Sequence, residues 1–109
     1  MLNRWNTESF KPALLSTDRP VLVDFHADWC GPCRYQLPVV EALAAELGDR
    51  VSIGKVNVDE NPELASLFRV SSIPTLLLFR EGRLSKRFVG LTGAAELRAE
   101  LLSAEQPER

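Results

Sequence analysis

The stretch Val21-Leu22-Val23-Asp24-Phe25-His26-Ala27-Asp28-Trp29-Cys30-Gly31-Pro32-Cys33 decides how the rest of the chain is read. Asp18-Arg19-Pro20 breaks the preceding pattern, and the run from Val21 to Ala27 is too apolar on both parities for a half-exposed strand. It reads as a central strand. Immediately after it, Leu37, Val40, Leu43, Ala44 and Leu47 recur at helical spacing until Gly48-Asp49, where Gly48 suits a left-handed C-cap. A strand leading straight into a helix that carries Cys-x-x-Cys in its first turn is the context in which such a pair reads as redox-active.

Cys30 and Cys33 are the only two cysteines. Three residues apart on a helix, their Cα atoms lie roughly 5 Å from one another, inside the approximately 4.4–6.8 Å that an unstrained disulfide needs. Cys30, at the helix N-terminus, faces unpaired N–H groups and the positive end of the dipole, which favour its thiolate and make it the attacking sulfur. Cys33, one turn further in, is expected to be less exposed and to resolve the mixed disulfide that Cys30 forms with a substrate. Pro32 stiffens the intervening loop, and Gly31-Pro32 favours a reductase over an oxidase. Two buried apolar cysteines would be the plainer reading, and zinc another. Zinc calls for four ligands, whereas Cys30, Cys33 and the single histidine, His26, offer three.

Upstream, Leu2 to Trp5 suits a short edge strand, and Phe10, Ala13 and Leu14 place a helix between Ser9 and Ser16 with Pro12 in its first turn. Downstream, Val51, Ile53, Val56 and Val58 mark a second strand, so that strand, long helix and strand form a parallel crossover. Asp59-Glu60-Asn61-Pro62 supplies N-cap candidates and a helix-starting proline for a short helix bearing Leu64, Leu67 and Phe68. Thr75 to Phe79 and the segment with Leu84, Phe88 and Val89 form a hairpin across Glu81-Gly82, whose turn type the sequence leaves open. Thr92 is placed to cap a last helix with Ala94, Leu97, Leu101 and Leu102 buried, before a polar tail expected to fray.

Asp24 is the unusual member of the central strand. Desolvation disfavours its charge and raises its pKa, which suits a proton acceptor; the alternative is a buried ion pair with Lys55 in the neighbouring strand. His26 reads as a packed strand-end histidine. Trp29, directly before the nucleophile, suits a substrate-facing surface better than core filling.

The chain has 109 residues, 45% of them hydrophobic, and a net charge of -2, which fits one domain over 1–109 with no basic footprint for nucleic acid or membrane. The N-terminal residues hold no apolar signal-like core, and no stretch approaches the ~20 apolar residues of a membrane span. Two close cysteines favour a reducing compartment, the cytoplasm, and a small monomer is the default expectation for the chain.

Together, Val23-Asp24-Phe25, Trp29-Cys30-Gly31-Pro32-Cys33, Lys55, Ile73-Pro74-Thr75, Gly82 and Gly90 resemble the thioredoxin family in order and spacing, over essentially the whole chain. The resemblance implies an α/β thioredoxin fold, a five-stranded mixed sheet flanked by four helices, with Pro74 in a cis peptide opposite the cysteines. It implies Cys30 as nucleophile, Cys33 as resolving thiol, and Asp24 with Lys55 assisting proton transfer from Cys33. Gly31 and Pro32 would tune the redox potential. Trp29, Ile73, Pro74 and Gly90 would line a groove for an extended substrate segment pairing with the backbone of Ile73. The expected activity is protein-disulfide reduction without a bound cofactor or metal, with electrons supplied by thioredoxin reductase, which itself uses NADPH and a flavin (FAD). The alternatives are an oxidase or isomerase on the same fold, or a non-catalytic binding module. His26 departs from the aromatic residue, often Trp, that many members carry there.

Overall fold

The computed structural model describes residues 2–103; the fraying expected for the tail concerns 104–109 and lies outside them. The elements run β1 (Asn3–Arg4), α1 (Phe10–Leu15), β2 (Val21–His26), α2 (Gly31–Leu47), a 3-10 turn (Gly48–Arg50), β3 (Ser52–Asn57), α3 (Pro62–Leu67), β4 (Thr75–Arg80), β5 (Arg83–Val89) and α4 (Ala94–Ser103). The strands form one sheet in the order β1-β3-β2-β4-β5. β1 and β2 both pair parallel to β3, while β4 runs antiparallel to β2 and to β5. The apolar run from Val21 is thus flanked on both sides, as its lack of alternation requires.

Alternation along β2 divides the core between two layers. Leu22 joins Ile53, Leu76, Leu78 and Phe88 beneath Val40, Leu43 and Leu47 of α2 and Leu97 and Leu101 of α4. Val21, Val23 and Phe25 face the other way, with Val56, Leu77 and Phe79 against Trp5, Phe10, Leu14 and Leu64. By parity Asp24 and His26 share the face of Leu22, and Asp24 therefore lies on the side covered by the helix that carries the cysteines.

Several local expectations change. Gln36, not Leu37, completes the fully buried stripe of α2, because it lies one turn before Val40 and three residues after Cys33. Leu67 is exposed, and α3 buries Leu64 and Ala65 instead. The Asn61 side chain makes no helix cap; its Oδ1 accepts from the Thr7 N–H at 2.9 Å and its Nδ2 donates to the Asn57 carbonyl at 3.0 Å. Thr92 lies outside α4, whose first turn is closed by the Leu97 N–H donating to the Gly93 carbonyl. Gly48 has φ 52° but ψ -127°, a glycine conformation that turns the chain into the 3-10 segment rather than a left-handed helical cap. The hairpin turn is resolved as well: Glu81 and Gly82 both have positive φ, 53° and 79°, the signature of a type I′ turn.

Candidate active site

Chain direction and proline geometry build the first turn of α2. Cys30 is still extended, at φ -88° and ψ 111°, and acts as the N-cap, with Pro32 inside the first turn where its missing N–H costs nothing. The Cys30 N–H donates to the Ala27 carbonyl at 3.2 Å, and the Arg34 guanidinium holds the Asp28 carbonyl at 3.1 Å, which secures the strand-to-helix corner from both sides.

Cys30 and Cys33 are joined by a disulfide, with their Cα atoms 5.3 Å apart. Both residues are 4% exposed, so the expected difference in exposure between them is absent. The asymmetry lies in hydrogen bonding. Cys30 Sγ accepts from the Cys33 N–H at 3.2 Å, one of the otherwise unpaired donors of the helix start.

The loop before β4 meets the cysteines from the other side. The Ile73 carbonyl oxygen lies 3.7 Å from Cys30 Sγ, and the Ile73–Pro74 peptide is cis, as the resemblance implied. The Gly90 N–H donates to the Pro74 carbonyl at 2.8 Å, and Gly90 has φ 91°, which an L side chain rarely adopts. Cys30, Ile73-Pro74 and Gly90 are therefore joined by contacts from three different parts of the chain. Trp29 is 68% exposed beside them, and its Nε1–H donates to Asp59 Oδ2 at 2.7 Å.

Asp24 is 1% exposed and neither of its carboxylate oxygens has a hydrogen-bond partner. Burial pushes its pKa up to about 7, with the Lys55 charge pulling the other way. Lys55 stands directly opposite Asp24 in the β2–β3 register. The alternative reading, a buried ion pair, is not realised as a direct contact, and Lys55, itself half-buried, acts on the carboxyl through its field. His26 closes β2 with its backbone carbonyl accepting from the Val58 N–H at 2.8 Å. Burial holds its imidazole below the usual pKa, helped by Lys55 and Arg4 against Asp28 and Glu60.

Gln36 is the residue that sequence reasoning missed. It is 0% exposed, its Nε2 donates to the Thr92 carbonyl at 2.9 Å, and its Oε1 accepts from the Thr92 N–H at 2.8 Å. A polar residue at a stripe position of an amphipathic helix was the available signal. Among the described residues no group of three or more His, Cys, Asp or Glu side chains is arranged to hold a metal ion, and no helix is long and apolar enough to cross a membrane.

Comparison with known proteins agrees with this arrangement. Residues 2–103 match the family model described as Thioredoxin. Thioredoxin of Mycobacterium bovis is 50% identical over 93 residues, covering 85% of this chain and 80% of the relative. Thioredoxin of Alicyclobacillus acidocaldarius is 51% identical over 89 residues, covering 82% and 85%. A bifunctional thioredoxin reductase/thioredoxin of Mycobacterium leprae is 48% identical over 93 residues, 85% of this chain and 20% of that longer protein. Among solved structures, chloroplastic thioredoxin z superposes with a TM-score of 0.90 at 31% identity, over 97% of this chain and 96% of the other. The protein is a thiol–disulfide oxidoreductase, a protein-disulfide reductase whose redox-active group is the Cys30–Cys33 pair and whose electrons come through thioredoxin reductase; the oxidase, isomerase and binding-module alternatives are not favoured. A family match over residues 2–103 and half-identical relatives covered along most of their length lead to one statement: the chain belongs to the thioredoxin family.

Proposed function

We propose that Cys30 and Cys33 divide the reaction into an attacking and a resolving step, with Asp24 and Lys55 handling the proton between them. The Cys30 thiolate attacks one sulfur of a substrate disulfide; the other substrate sulfur leaves as a thiolate, and a mixed disulfide forms. Cys33 gives its proton to the Asp24 carboxylate and attacks Cys30 Sγ, so that the Cys30–Cys33 disulfide forms and the second substrate thiol departs. Two electrons pass to the substrate, and thioredoxin reductase returns two from NADPH through its flavin.

The hydrogen bond from the Cys33 N–H to Cys30 Sγ carries this assignment, because it stabilises negative charge on one sulfur alone. Asp24 fits the proton-acceptor role through its pKa near 7. Lys55 keeps part of the buried carboxyl ionised, and Gly31 and Pro32 tune the potential by shaping the turn between the sulfurs. Trp29, Ile73, Pro74 and Gly90 form the groove for an extended substrate segment, which pairs with the backbone of Ile73. The molecule works as a single-domain monomer, and its bacterial relatives favour the cytoplasm as its place of action.

The test supplies NADPH, a thioredoxin reductase and a protein disulfide and follows NADPH oxidation. Cys30→Ser is expected to lose turnover at least about a thousandfold, and Cys33→Ser to accumulate a mixed disulfide through Cys30. Full turnover by Cys30→Ser, or trapping through Cys33 in its place, would reverse the roles.

A further inference from the structure

Gln36 lies outside the chemistry described so far, yet it is a fully buried amide with both ends of its polar group satisfied by one residue of another element. Its Nε2 donates to the Thr92 carbonyl and its Oε1 accepts from the Thr92 N–H, at 2.9 and 2.8 Å. This is the pairing a neighbouring strand would offer, supplied here by a side chain. Thr92 is also tied the other way, since its Oγ1–H donates to the Gly90 carbonyl at 3.0 Å. Gly90 in turn donates its N–H to Pro74, and the adjoining Ile73 carbonyl sits against Cys30 Sγ.

These contacts close a ring. It leaves α2 at Cys30, crosses to Ile73-Pro74, passes to Gly90 and Thr92, and returns to α2 at Gln36, three residues beyond Cys33. All three walls of the groove lie on it: the helix start, the cis-proline loop and the segment after β5. Among the described residues, no hydrogen bond other than the two made by Gln36 links the segment after Gly90 to α2.

We propose that Gln36 is a positioning residue that fixes the Gly90–Thr92 segment against the active-site helix and so sets the width of the groove, making it a determinant of selectivity for extended polypeptide substrates over small disulfides. The inference rests on the groove reading above and deepens it. A polypeptide must fit between Trp29, Pro74 and Gly90 while its disulfide reaches Cys30. A small disulfide needs only the sulfur. Loosening the far wall therefore penalises the first kind of substrate and spares the second, and the loss falls in KM because the clamp touches no reacting atom.

The experiment compares kcat/KM for a protein disulfide and for a small aromatic disulfide in wild type, Gln36→Met and Trp29→Ala. Methionine keeps the length and volume of the side chain and leaves both Thr92 groups unpaired. The ratio of protein to small-disulfide kcat/KM is expected to fall about tenfold in Gln36→Met, through KM for the protein substrate. Gln36→Glu supplies the rescue and stands in should Gln36→Met not fold. Protonated, the acid keeps one donor and one acceptor; ionised, it faces the Thr92 carbonyl with negative charge. Its selectivity relative to wild type should then decline as pH rises. A ratio within about twofold of wild type in the folded Gln36 variants overturns the inference, and so does a parallel loss on both substrates, which is the mark of a purely structural role. Trp29→Ala separates the two levels. If it lowers the ratio and the Gln36 variants do not, only the clamp fails; if it too leaves the ratio unchanged, the groove reading fails.

Discussion

Asp24 and Lys55 stand directly opposite each other in the β2–β3 ladder, yet neither carboxylate oxygen of Asp24 has a hydrogen-bond partner. The carboxyl is thus desolvated without a hydrogen bond, the Lys55 charge offsets only part of the cost, and the pKa rises from 3.8 to about 7. Between those two values the folded protein binds more protons than the unfolded chain, so this group removes stability as pH rises through the window and adds no penalty below it. A shift of about three units corresponds to roughly 4 kcal/mol at most, at pH values above both. Asp24→Asn, with a similar shape and no charge, should be more stable than wild type by about 2–4 kcal/mol at pH 8 and nearly equal to it at pH 4. His26 titrates with the opposite sign, its folded pKa being lowered, and is common to both proteins, so the difference between them isolates Asp24. Urea denaturation of the oxidised forms across this range is the measurement, and a difference independent of pH would contradict the assignment.

Trp29 and Trp5 report on different places. Trp29 is exposed beside the cysteines with its indole N–H on Asp59, whereas Trp5 is buried edge-on to Phe10 with ring centroids 5.4 Å apart. A disulfide accepts an electron from an excited indole close to it, so Trp29 emission should be partly quenched in the oxidised form over a constant Trp5 background. Reduction should raise the fluorescence of wild type and leave that of Trp29→Phe unchanged. Identical spectra for oxidised and reduced wild type would defeat this.

The central strand, the helix after Cys30 and the parallel crossover were legible because each has an unambiguous period or breaker: Val21 to Ala27 without alternation, Leu43 to Leu47 at helical spacing, Gly48 at the end. What stayed hidden depends on partners distant in sequence. Asp24 lacks hydrogen bonds although Lys55 is its register partner, and no feature of either residue type states that outcome. The equal burial of Cys30 and Cys33 depends on Ile73 and Val58, which pack from other loops against the cluster of Ala27, Cys30 and Cys33. The cis peptide at Pro74 came from family resemblance, since Ser71-Ser72-Ile73-Pro74 carries no local mark of it. Gln36 was visible as a polar residue on an apolar stripe, but its partner is a backbone 56 residues away.

Glu81 is in a left-handed conformation, φ 53°, at the first central position of a type I′ turn. Asparagine takes this conformation more readily than glutamate, because its short side chain bonds locally to the backbone. Glu81→Asn should stabilise the protein by about 0.5–1 kcal/mol, read as a higher denaturation midpoint with an unchanged m-value. The turn lies at the opposite end of β4 from Pro74, so disulfide reductase activity should be unaltered. A lower midpoint would show that Glu81 makes a compensating interaction.

Gly54 faces the Trp5 ring so closely that an added Cβ would lie 2.6 Å from two ring carbons. The ring has little room to yield, since Phe10 packs against it and the Trp5 backbone N–H is held by the Lys55 carbonyl at 2.9 Å. Gly54→Ala should therefore cost about 1–3 kcal/mol by overpacking, reduced by the roughly 0.4–1 kcal/mol that a less flexible unfolded chain returns. If the clash is the cause, shrinking the ring relieves it. In the Trp5→Leu background the same glycine substitution should be close to neutral, giving a coupling energy of about 1–2 kcal/mol between two residues in direct contact. Equal costs in both backgrounds would place the effect in the β3 backbone, where glycine would be needed for its conformation and not for the space it leaves.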